Sequence, residues 1–232
     1  MKELIQVISA AKKYSKKYTR ILPLLMALVL LMICAAGCTP TNREDDESQI
    51  VPLTAEELEH YKEIFEPTST DEQGNLTINP LNHFFSSYYD KPEDINLAEF
   101  LRYYPIEEFV SDEAEFEALK NAENWPFGKD ITRQEMPVPI HKFPADVVDE
   151  ILKQHMGIGL DDLSGVGMDE LVYLEEYDAF YNFTSDLGFA TFIPVSGEKE
   201  GDIVRLYSDN AVLTLKIQDD GFLFVSHQIK ED

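Results

Sequence analysis

Residues 21–37 read ILPLLMALVLLMICAAG, 17 positions without a charge, behind a leader in which six lysines and arginines face one acid, Glu3. A basic start, an apolar run and an ending in small residues compose a secretory signal that leaves the mature chain. A membrane-spanning helix needs about 20 apolar residues, and Pro23 and the Ala35-Ala36-Gly37 ending also disfavour one. The feature constrains folding by subtraction. Residues 1–37 contribute nothing to a core, and the remaining 195 must build it.

The signal ends in Ala35-Ala36-Gly37-Cys38. This pattern resembles the lipobox of bacterial membrane lipoproteins, with Ala35 where that family most often carries leucine. The resemblance covers the leader alone. It implies cleavage before Cys38, acylation of the Cys38 thiol with palmitate-like chains, and a mature protein anchored to the cell membrane on its extracytoplasmic face. The lipid bilayer is then its first partner. Burial at about 0.8 kcal/mol per CH₂ makes two chains a stable anchor where one is marginal. An ordinary secretory cut would instead leave Cys38 unmodified and the protein free.

With Cys34 lost in the signal and Cys38 acylated, the mature chain keeps no thiol. Disulfides, a cysteine nucleophile and cysteine-ligated metals are therefore not expected. The net charge of −25 becomes −30 from Cys38 onward. Such an acid excess excludes a protein that grips phosphate backbones by counterion release, so nucleic acid is not an expected partner. Anionic lipid should repel the body. The 44% hydrophobic and 11% aromatic content exclude disorder along the whole length.

Three segments follow: a signal peptide over 1–37, the lipidated cysteine and a flexible acidic linker over 38–52, and one extracytoplasmic domain over 53–232. Residues 39–52 reach about 20 Å as coil and about 50 Å extended. The domain opens with helical patterns. Thr54 and Glu57 make a capping box ahead of Leu58, Tyr61 and Phe65. A second helix is expected from Asp90-Lys91-Pro92-Glu93 through Tyr104, a third over 112–122 around Phe116 and Leu119, and a fourth through Val148, Leu152 and His155, stopped by Gly157 and Gly159. Residues 68–80 read as a loop or irregular hairpin. Beyond Glu170 the period becomes strand-like, with candidate strands at 177–184, 188–195, 203–208, 212–217 and 222–228 and turns at 196–201 and 219–221. The expected fold class is α+β: N-terminal helices followed by a C-terminal antiparallel β-meander in a single domain.

Chemistry is less legible. The five histidines have no paired spacing that would bring two imidazoles to one helix face, and there is no GxSxG elbow. Ser226 and His227 are neighbours on a strand and should point to opposite faces. The Gly157–Gly159 and Gly165–Gly167 pairs read as a helix stop and a loop, since Asp161 and Asp162 would repel phosphate. Asp161, Asp162, Asp169, Glu170, Glu175, Glu176 and Asp178 supply hard oxygens for Ca²⁺, although residues 69–80 fail as a calcium loop with Ser69 and Pro80 at its two key positions. The aromatic stretch YLEEYDAFYNF buries rings against a sheet or offers Tyr177 and Tyr181 as a platform for a peptide or sugar ligand. The expectation is a binding or interaction module with an envelope partner, without catalysis or cofactor. The alternatives are an extracytoplasmic hydrolase using a carboxylate pair and a surface protein that binds divalent cations.

Overall fold

Helix α1, Ala55–Ile64, starts where its capping box places it: the Glu57 N–H donates to Thr54 Oγ1 at 3.2 Å and the Thr54 N–H to Glu57 Oε2 at 2.8 Å. This computed structural model describes residues 49–231 apart from 71–72, 103, 106–107, 185–187 and 189. Cys38 and the leader lie outside the described residues. Among those described, no helix is long and apolar enough to cross a membrane.

Helix α2, Leu97–Arg102, begins later than Asp90. Pro92–Asp94 makes one 3₁₀ turn that Ile95, with extended backbone, terminates. The cap is Asn96 instead, whose Oδ1 accepts the Glu99 N–H at 3.0 Å. Gly167 backs onto that cap with φ +76°, and a Cβ there would come within 2.0 Å of Asn96 Oδ1. Helix α3, Glu113–Asn121, is capped by Asp112 Oδ1, which accepts the Glu115 N–H at 3.0 Å. Helix α4, Ala145–Met156, ends at Gly157 in the left-handed conformation.

The strands are β1 (Val51–Pro52), β2 (Thr68–Thr70), β3 (Leu76–Ile78), β4 (Ile140–Pro144), β5 (Val172–Leu174), β6 (Ala179–Phe183), β7 (Ser196–Glu200), β8 (Ile203–Tyr207), β9 (Ala211–Gln218) and β10 (Gly221–Ile229). They form three antiparallel sheets, ordered β1-β7-β8-β9-β10, β2-β3 and β4-β6-β5. The expectation of an α+β succession, helices first and a meander last, is overturned. Strands stand before, among and after the helices, and only the C-terminal region is a meander. The cause is length: β1 to β5 have two to five residues each, too few to display a two-residue period.

Two strand assignments also change. The expected turn at 196–201 is mostly β7, which pairs with β1 and β8. The expected strand at 188–195 has no ladder in its described residues. There Phe192 is buried and Ile193 exposed, and the segment meets β8 at its end, where the Val195 N–H donates to the Tyr207 carbonyl at 2.8 Å. Val51 and Pro52, at the end of the segment read as linker, form the edge strand β1.

The three-stranded sheet divides the interior. Phe143 and Phe180 point from one face into a core that includes Phe65, Phe84, Phe100, Leu152, Leu213 and Phe224. Ile140, Ala179 and Tyr181 point from the other face into a smaller core with Phe116, Leu119 and Trp125. Successive residues of β6 thus serve opposite cores, as the pleat requires. In the larger core Phe84 stacks on Phe224 with centroids 4.5 Å apart, and Phe65 meets Phe85 edge to face at 5.3 Å.

Candidate functional site

The YLEEYDAFYNF stretch is neither one helix nor one strand. Glu175–Tyr177 make a 3₁₀ turn, Asp178 follows with φ 45°, and β6 begins at Ala179. Tyr181 has no accessible surface; its hydroxyl donates to Glu115 Oε1 at 2.5 Å. Desolvation and that hydrogen bond push its phenol above the ordinary range. Lys142 Nζ lies 2.9 Å from the same carboxylate oxygen and 5.6 Å from the Tyr177 ring centroid. The fold therefore brings Tyr177 and Tyr181 around one Glu115–Lys142 pair. Only Tyr177, half-buried, retains surface that a ligand could touch.

Two of the acids expected as cation ligands hold local structure instead. Asp162 Oδ2 accepts the Gly159 N–H at 2.8 Å, and Asp178 Oδ1 accepts the Tyr173 hydroxyl at 2.7 Å. Among the described residues no group of three or more His, Cys, Asp or Glu could hold a metal ion. Glu57, Asp149 and Glu135 sit below the ordinary carboxylate range. Their causes are, respectively, the Lys199 hydrogen bond with the Thr54 cap, Lys153 with the Leu160 N–H, and Thr132. Such carboxylates stay ionised, whereas a general acid needs the opposite displacement.

One groove of the described surface brings three exposed apolar side chains together with three acids. An antiparallel bridge, Tyr89 N–H to His227 O at 2.7 Å and His227 N–H to Tyr89 O at 3.0 Å, pins residues 86–91 to the edge of β10. The resulting groove has a volume of about 640 Å³. Tyr88, Val166 and Ile229 line it while 47%, 45% and 64% exposed. Asp90, Asp94 and Glu231 supply its charge. Lys91 reaches Asp94 at 3.8 Å from a well exposed position, and Gln228 donates to Asp90 Oδ1 at 2.7 Å.

His227 occupies the floor. Its Nδ1 lies 2.8 Å from the Ser87 carbonyl, which can only accept, so Nδ1 carries the proton. The ring stacks on Tyr88 with centroids 4.7 Å apart. Burial pulls the imidazole below its ordinary value, against the smaller opposing effect of the Ser87 bond. At neutral pH the buried imidazole is therefore neutral, with its proton on Nδ1 and Nε2 left as the acceptor nitrogen. Ser226 takes no part in this arrangement.

Sequence reasoning missed this site because its residues come from 88–94, 166, 212 and 227–231. An exposed tyrosine has no local signature that separates it from a buried one, and no periodicity links segments so far apart. Comparison of the chain with protein-family models, with curated proteins and with solved structures finds no match.

Proposed function

We propose that this chain is a lipid-anchored binding module of the extracytoplasmic membrane face, held by acylated Cys38, whose groove at Tyr88 and His227 takes a basic segment of an envelope protein. The carrying observation is the convergence of three exposed apolar side chains with Asp90, Asp94 and Glu231 over a neutral histidine. Apolar surface rimmed by charge marks interaction sites on proteins that otherwise bury such groups. The acids select lysine or arginine, the Tyr88 face accommodates the cation at about 0.5–1 kcal/mol when exposed, and His227 Nε2 accepts one hydrogen bond. The acid excess of the whole chain steers a basic partner toward it and weakens with salt.

Partner capture tests this reading: intact cells are crosslinked, solubilised, and the lipidated protein is recovered beside Tyr88→Ala, Asp94→Asn and Cys38→Ala forms. Tyr88→Ala should reduce recovery of a specific envelope protein at least about tenfold, as loss of an aromatic anchor does, while leaving the unfolding midpoint in place. Asp94→Asn should weaken recovery and reduce its salt dependence. Cys38→Ala should release the protein from the membrane fraction. Undiminished recovery with Tyr88→Ala and Asp94→Asn overturns the groove, and unchanged membrane retention of a correctly processed Cys38→Ala form overturns the anchor.

A further inference from the structure

A second cavity, about 460 Å³, opens beside α2 and β6 and shares no residue with the groove. Its apolar wall is Pro126, Phe127 and Phe183; its polar wall includes Arg102 and Glu170. The two phenyl rings stand edge to face, 5.4 Å between centroids and 83° between planes, and so form a right-angled corner. Arg102 Nη2 is held 2.9 Å from Glu99 Oε1 and 3.9 Å from Glu170 Oε2.

This composition discriminates among ligands. One guanidinium between two carboxylates leaves a local excess of negative charge, so a free anion is repelled. A simple cation would have to compete with Arg102 for the same carboxylates. An apolar ligand would strand the charged groups without water. A sugar ring meets every requirement: neighbouring hydroxyls donate to a carboxylate and accept from a guanidinium, and the C–H face packs on an aromatic ring. We propose that this cavity is a saccharide subsite, with Phe127 and Phe183 as the stacking corner, Arg102 as the donor to one hydroxyl and Glu170 as the acceptor from its neighbour. The site is independent of the peptide groove and stands or falls separately.

The chain carries its own reporter. Trp125, its single tryptophan, packs against Phe127 and against Phe183 with centroids 5.3 Å away in each case. A ring seated in the corner should change its emission. The probes are the methyl glycosides of glucose, galactose and N-acetylglucosamine, titrated to tens of millimolar into the full domain, with acetate and glycine as charged controls. At least one glycoside should give a saturable change, and ligand-observed NMR saturation transfer should report the same sugar. Arg102→Gln and Glu170→Gln, both at exposed ion pairs whose loss spares the fold, should each weaken it about tenfold, the size of a lost charge-assisted bond. Phe127→Ala should abolish the NMR transfer, and Tyr88→Ala should leave both signals unchanged. The assignment is overturned by a flat emission and absent transfer for all three glycosides, by a response indifferent to Arg102→Gln and Glu170→Gln, or by saturation with acetate or glycine where the sugars give none.

Discussion

Glu115→Ala is expected to lower the stability of the domain by about 3–5 kcal/mol, the cost of removing one member of a buried ion pair. The Glu115 side chain is 7% exposed and joins three elements. It belongs to the first turn of α3, where the helix dipole favours a carboxylate. It accepts the Tyr181 hydroxyl from β6 and pairs with Lys142 from β4. Without it the Tyr181 hydroxyl is left buried with its partner gone, and Lys142, itself largely covered, faces an apolar gap. Glu115→Gln keeps the volume and an acceptor for Tyr181, so it should cost about half as much. The check is the urea midpoint at unchanged slope. A loss under about 1 kcal/mol for the alanine form would show that this triad does not hold α3 to the sheet.

Stability should also fall by an amount on the order of 3 kcal/mol as the pH drops from about 6.5 to about 4, through His83 alone. His83 is buried in the 3₁₀ segment Pro80–Phe85, and its Nε2 has no hydrogen-bond partner. Burial lowers its pKa from 6.5 to about 4. Above 6.5 neither state binds the proton, so the contribution is complete. Between the two values only the unfolded chain is protonated, and stability is lost progressively. Below 4 both states carry the charge and the loss ends. His155 and His227 are lowered by burial as well and add losses of the same sign. Glu57, held at about 2, adds its own loss only as the pH falls below 4.5.

His83→Leu separates this residue from the others. An apolar side chain in place of an unpartnered imidazole should leave stability at pH 8 unchanged or raised. It should also flatten the profile between pH 6.5 and 4. Denaturation curves collected across that window measure both effects. An identical pH slope in the leucine form would assign the acid sensitivity to other groups.

Much of the local structure was readable before any contact was known. The Thr54–Glu57 box and the Gly157 stop each act within four residues, so their chemistry is complete in a short string. The alternation of Leu213, Leu215 and Ile217 likewise shows one face of β9. Strand β7 was illegible for the opposite reason. Its Ser-Gly-Glu-Lys-Glu composition is that of a turn, yet Arg205 lies 3.0 Å from Glu200 and 3.9 Å from Glu198, and Lys199 bonds to Glu57. A Cβ on Gly197 would crowd Leu53 Cδ1 at 2.6 Å and the Arg205 carbonyl oxygen at 3.0 Å. Those partners come from elsewhere in the chain.

The same division governs function. The basic and apolar leader, the position of Cys38 and the acid excess are properties of the linear chain, and the proposed anchor rests on them alone. Caps and side-chain periods are also determined there, because they depend on atoms a few residues apart. Only the tertiary structure decided that Tyr88, Asp94, Val166, His227 and Ile229 share a groove, that Tyr181 is sealed against Glu115, and that helices alternate with three sheets. Strand pairing and site assembly are set by contact free energies between distant segments, and no local pattern encodes which of those contacts prevails.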